Sequence, residues 1–191
     1  MAEDRPVVWE PPADLPCTLR DIASRLPPNT PAKDDCPITY GHEGSHFLSK
    51  GKEGWHGIYM LDGRIRYLPT PPILTDAVFA RVPPRRRGTI FDTYRRQGRD
   101  TYWQTQPLML VDEWVAYLRG SQIRKELGWS RRAETNRHCA TMAGYCEVLC
   151  DMAAEVPSYD VSVLKDFCRE IANECRATIP EWDQLTDARF E

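Results

Sequence analysis

Three of the chain's four histidines, His42, His46 and His56, fall within fifteen residues of one another. Two of them bracket a glutamate in His42-Glu43-Gly44-Ser45-His46. On a helix, residues four apart lie one turn apart on the same face. His42 and His46 could therefore present two imidazoles to one metal ion, with Glu43 beside the first and in reach of an open coordination position. Zinc held in this way acidifies water toward neutrality, and a neighbouring carboxylate can take the proton. That is the mechanical content of a His-Glu-x-x-His segment. With only four histidines in 191 residues, a chance match is rare. The alternative is an ordinary helix with incidental histidines.

Two histidines need a third protein ligand. A layout with Gly and His at positions 49 and 52 is excluded, because Ser49 and Lys52 stand there. His56 and Asp62 are nearby alternatives. A more distant one is Glu113, in LVDEWVAYLRG, where Leu110, Trp114, Tyr117 and Leu118 make an apolar helical stripe. A carboxylate is rarely buried without a partner, and a zinc ion is such a partner. The alternative is a solvated carboxylate paired with an arginine. Hydrolysis of an amide also needs a donor for the developing oxyanion. Tyr117, Tyr102, Tyr94, Tyr59 and Tyr67 are candidates, and Tyr117 leads them by a narrow margin. Its alternative role is a core residue with a satisfied hydroxyl.

These groups need elements to hold them. A helix is expected over about 37–50, with Pro37 in its first turn and Asp34 or Asp35 as its cap. Gly41 and Gly44 each cost it about 1 kcal/mol of propensity, which suggests close approach of another backbone or of a substrate. Two β-rich runs, 56–61 and 64–68, flank Asp62-Gly63, the signature of a tight type I′ hairpin. That hairpin could lend an edge to an extended peptide. Residues 69–107 read as irregular, with a short helix near 89–98. Further helices are expected over 108–127, 131–154 and 160–178. Seven prolines in the first 33 residues (Pro6, Pro11, Pro12, Pro16, Pro27, Pro28, Pro31) make that segment an arm, interrupted by a short helix in CTLRDIASRL.

Four of the seven cysteines form a numerical pattern. In an antiparallel helical pair, facing residues have a constant index sum, and 139 with 175 and 146 with 168 share one. Cys139–Cys175 and Cys146–Cys168 could be disulfide staples, subject to the Cα distance limits. Buried thiols on the apolar faces are the alternative. Cys17 could pair with Cys36.

The totals exclude several classes. A net charge of −3 and the absence of a reading motif argue against nucleic acid as a partner. Apolar runs are too short for a membrane span. The start, MAEDRPVVWEPP, lacks the basic and apolar regions of a signal peptide. The expected location is cytoplasmic, or secreted as a mature form if the cysteines are bridged. Seven arginines between Arg81 and Arg99 could select acidic groups, or could be offset by acids elsewhere.

HEGSHFL, GIYMLDGRIRYL and PLMLVDEWVAYLRG together resemble gluzincin-type zinc metallopeptidases. The Asp-Glu-Trp-x-Ala-Tyr string is similar to the Asn-Glu-x-x-Ala-x-Tyr segment that carries the glutamate ligand in their aminopeptidase branch. The likeness is nearest to small bacterial proteins with His-Glu-Gly-Thr-His, and covers residues 37–120. It implies Zn²⁺ bound by His42, His46 and Glu113, with Glu43 as general base and a peptide or protein as substrate. Two departures stand out. His46 and Glu113 are 67 residues apart, far more than in the thermolysin-like branch. Tyr117 also occupies the place of an aspartate that orients a ligand histidine there.

The expected architecture is mainly α (α+β), as a single globular unit. It has an arm (1–33), a zincin-like core with a small hairpin (34–128), and a C-terminal antiparallel helical hairpin (129–191). The expected activity is zinc-dependent peptide hydrolysis. The alternatives are a non-catalytic zinc- or peptide-binding scaffold and a zinc hydrolase acting on a non-peptide amide.

Overall fold

The computed structural model describes residues 15–27, 30, 36–129 and 133–190. It is mainly helical with one small three-stranded antiparallel sheet. In chain order come α1 (Cys17–Ala23), α2 (Pro37–Leu48), β1 (Lys50–Lys52), β2 (Trp55–Tyr59), β3 (Ile65–Pro69) and α3 (Thr75–Arg81). A 3₁₀ turn (Pro84–Arg86) leads to α4 (Phe91–Gln97), α5 (Thr101–Gln104), α6 (Met109–Glu126), α7 (Ala133–Ala154), α8 (Ser162–Thr178) and α9 (Trp182–Leu185). No helix among the described residues is long and apolar enough to cross a membrane.

The centre of the molecule is α6, which packs against α1, α2, α7 and α8. It is buried around most of its circumference, from Leu110 to Ile123. Trp114 stacks between Trp182 and Phe190 of the C-terminal segment. Arg119 is buried and donates to Glu174 of α8 at 2.8 Å. One continuous apolar core joins the sheet, α3, α4, α6, α7 and α8. A second cluster, Leu15, Leu19, Ile38, Tyr40 and Ile123, fixes α1 and α2 on the end of α6.

α2 starts as a helix with proline at its first position should, but its cap is Cys36, with no side-chain hydrogen bond. Asp34 and Asp35, the expected caps, lie outside the described residues, as do most of the N-terminal prolines. The two glycines of α2 are explained by packing. A methyl group on Gly41 would overlap Ile123 Cδ1 of α6, and one on Gly44 would lie 2.7 Å from Ile22 Cγ2 of α1. The close approach is therefore to two neighbouring helices. Their propensity cost is offset by drawing α2 down onto α6, where its histidines must arrive.

The hairpin is present, and Asp62 and Gly63 have φ of 63° and 73°. Its register pairs Tyr59 with Ile65, and the Met60 N–H donates to the Arg64 carbonyl at 2.8 Å. Leu61, Asp62 and Gly63 thus form a three-residue connection in place of the expected two-residue turn. A third strand, β1, pairs Lys50 with Gly57 directly after α2. Its sequence, Lys-Gly-Lys, has no strand propensity, so β2 templates it.

Cys139 and Cys175 face each other across α7 and α8, with sulfurs 3.7 Å apart, in contact and not bonded. Near the other end of the pair, Cys168 Sγ lies 3.8 Å from Cys150 Sγ. Burial pushes the Cys146, Cys168 and Cys175 thiols well up, which leaves them protonated and unreactive. Cys139, Cys146, Cys150, Cys168 and Cys175 are expected to resist alkylation in the native protein and to react on unfolding. Non-reducing mass spectrometry of protein from its native source checks this. Cross-linked peptides joining α7 to α8 would show that the cell oxidises them.

Candidate metal centre

α2 and α6 place three side chains at one point. His42 Nε2 and His46 Nε2 are 3.3 Å apart. Glu113 turns Oε2 to the first at 3.4 Å and Oε1 to the second at 3.4 Å. Ligand atoms about 2.0–2.1 Å from a tetrahedral zinc are roughly 3.3 Å from one another, so the separations fit such an ion. His42, His46 and Glu113 form a group that could hold a metal.

The helix geometry explains the convergence. His42 and His46 are one turn apart on the face of α2 that meets α6, and Glu113 projects from α6 toward them. Glu113 is only 7% exposed. Its neighbour Asp112 is 3% exposed and approaches His46 from the other side. Asp112 Oδ2 is 2.8 Å from His46 Nδ1, so the second ring nitrogen of His46 is fixed by a carboxylate. Such a partner sets the tautomer that leaves Nε2 as the ligand atom and makes the imidazole more basic. Asp112 is itself anchored. Ser49 Oγ donates to Oδ1 at 2.7 Å and accepts from the Tyr59 N–H of β2 at 3.1 Å. His56 Nε2 lies 3.8 Å from Asp112 Oδ2.

Two adjacent buried carboxylates require a cation. Burial disfavours a charge on His46, yet hydrogen bonds to Asp112 and Glu113 outweigh it and push its pKa up to about 10. Against the same cost of burial, contacts with His42 and His46 hold Glu113 well below the usual carboxylate range. Asp112 is likewise lowered by His46 and His56. The pocket is thus arranged to stabilise positive charge at the triad, supplied either by a proton or by a metal ion that releases it.

The triad opens onto a cleft of about 410 Å³ that Ile38, Thr39, Glu43, Tyr94, Gln97, Tyr117 and Thr135 also line. Tyr94 Oη donates to Glu113 Oε2 at 2.7 Å and lies 3.0 Å from Tyr117 Oη. The Tyr117 ring stands edge-on to His42, with centres 4.6 Å apart. Burial, together with the Glu113 and Glu43 carboxylates, pushes the Tyr117 hydroxyl up to about 12, so at neutral pH it keeps its proton and can donate a hydrogen bond.

Of the other candidates, His56 backs Asp112 and stands outside the triad. Asp62 sits in the hairpin connection, where its N–H donates to Asp21. Tyr59 Oη donates to Asp21 at 2.5 Å, and Tyr67 and Tyr102 are exposed. Four of the seven arginines of the Arg81–Arg99 segment pair with acids. Arg81 pairs with Glu155, Arg85 with Asp187, Arg86 with Glu147 and Asp187, and Arg99 with Asp76.

Asp112 and Ser49 are the residues that sequence reasoning missed. Two consecutive acids in the apolar run from Leu108 to Val115 were the available signal. Each demanded a buried partner, and only one was assigned. No protein-family model matches the chain, and no curated protein or solved structure does either.

Proposed function

We propose that this chain is a zinc-dependent metallopeptidase of the gluzincin type, with a zincin-like core formed by α2, the sheet and α6. The observation that carries the reading is the convergence of His42, His46 and Glu113 at tetrahedral spacing on a cleft that Glu43 also lines. Zn²⁺ suits two imidazoles and one carboxylate, and it would supply Lewis acidity toward a carbonyl and toward water.

The rest belongs to the chain's own residues. His42, His46 and Glu113 would hold the ion, and Asp112 would keep His46 in its ligand tautomer. Glu43 would accept a proton from the attacking water and return it to the leaving amine. Tyr117 would turn its hydroxyl from Tyr94 Oη, 3.0 Å away, and donate a hydrogen bond to the developing oxyanion. Tyr94 is already committed to Glu113, which makes it a positioning residue.

The test is digestion of a broad peptide library by chelator-stripped protein and by the same protein reloaded with zinc. Cleavage that disappears on stripping and returns with zinc supports the reading. A zinc-loaded protein that cuts no peptide favours a non-catalytic zinc protein.

A further inference from the structure

Six large hydrophobic side chains are exposed among the described residues: Phe47, Trp55, Tyr67, Leu74, Tyr102 and Trp129. Scattered singly, such residues need no explanation. Three of them do not scatter. Trp55, Leu74 and Tyr102, exposed at 42%, 50% and 62%, line one groove of about 670 Å³ together with Pro71, Pro72 and Ile73. Lys52 holds its ammonium 5.1 Å from the centre of the Trp55 ring and 4.8 Å from that of Tyr67. The Trp55 ring is thus positioned before any ligand arrives, which lowers the ordering cost of binding.

The groove is not isolated from the metal centre. Through Tyr102 it adjoins a cleft of about 640 Å³ between α4 and α5, and through Gln97 that cleft adjoins the one holding the triad. Each cleft thus shares one lining residue with the next, Tyr102 and then Gln97. A small amide would fill only the cleft at the triad, whereas an extended chain can occupy all three.

Resting on the peptidase reading, we propose that Trp55, Leu74 and Tyr102 form a specificity subsite. It takes an aromatic or large aliphatic side chain of an extended peptide substrate, at one fixed register from the cleaved bond.

The experiment uses fluorescein-labelled decapeptides, identical except for Phe or Ala at each position in turn. Their binding to zinc-loaded Glu43→Gln protein is followed by anisotropy, and their cleavage by the zinc-loaded native sequence by mass spectrometry. Phe at one register is expected to tighten binding about 10- to 100-fold, the range for burying much of an aromatic side chain. Adding Trp55→Ala or Tyr102→Ala should remove that preference while zinc content stays the same. Both side chains are exposed, so truncation leaves the core intact. Equal affinity for Phe and Ala at every position, a preference that survives both substitutions, or no binding of any decapeptide would overturn the subsite. The two readings fail separately. Cleavage unaffected by Trp55→Ala and Tyr102→Ala leaves the peptidase and removes the subsite. Binding that depends on Trp55 and Tyr102 with no cleavage by the native sequence removes the peptidase and, with it, the specificity role, leaving a peptide-binding groove.

Discussion

Glu43→Gln is expected to keep one zinc per chain and to lose about 10²–10⁴-fold of peptide hydrolysis, the usual contribution of a positioned general base. Glu43 lines the cleft but is not among the three converging side chains. The amide is nearly isosteric with the carboxylate, so α2 should keep its packing on α6. What changes is that the amide cannot accept a proton. The measurement is kcat/KM on a cleaved library peptide at matched zinc occupancy. Loss of zinc together with activity would mean that Glu43 is a ligand. Unchanged activity would mean that another group is the base.

The second large effect is on metal affinity, and it should be graded by position. Glu113→Ala removes one of three protein ligands. Structural zinc sites with four ligands bind with roughly 10–16 kcal/mol, so one ligand is worth about 10²–10³-fold in affinity. Asp112→Asn keeps the triad but weakens the acceptor for His46 Nδ1, and partners of this kind contribute about 10–100-fold. His56→Ala touches only the outer side of Asp112, at 3.8 Å, and should change affinity least. Competition against a chromophoric chelator gives the order. If His56→Ala exceeded Glu113→Ala, the third ligand would have been misassigned even in a genuine zinc protein.

The parts of this site differ in how legible they were in the sequence. His42 and His46 could be read because a helix turns four-residue spacing into proximity, and Pro37 marks where that helix begins. Glu113 could be read because an acid in an apolar stripe needs a partner. Asp112 could not be assigned by the same rule, because α6 is buried nearly all round and has no polar face to contrast with an apolar one. Which of two adjacent acids meets which ring is settled by the rotation of α6 against α2. That rotation depends on Gly41 admitting Ile123 and is a property of the packed pair. The strand β1 was invisible for a related reason, since Lys50–Lys52 is a strand only because β2 lies beside it. That cysteines of α7 and α8 would face each other could be read from the index sum, and Cys139 and Cys175 do so at 3.7 Å. The contact of Cys168 with Cys150 has no such signal. The pairing of the Arg81–Arg99 segment was also hidden, because its acids come from α3, α7 and the C-terminal residues, distant in sequence.

The most direct test is zinc content after the protein is stripped with a chelator, reconstituted at neutral pH and freed of excess metal. Elemental analysis is expected to find one zinc per chain, and almost none in His42→Ala or His46→Ala protein prepared in the same way. X-ray absorption at the zinc edge should show nitrogen and oxygen neighbours and no sulfur, as two imidazoles and a carboxylate require. A folded native-sequence protein that retains almost no zinc, or one whose zinc is bound to sulfur, would contradict the assignment of His42, His46 and Glu113 as a metal centre.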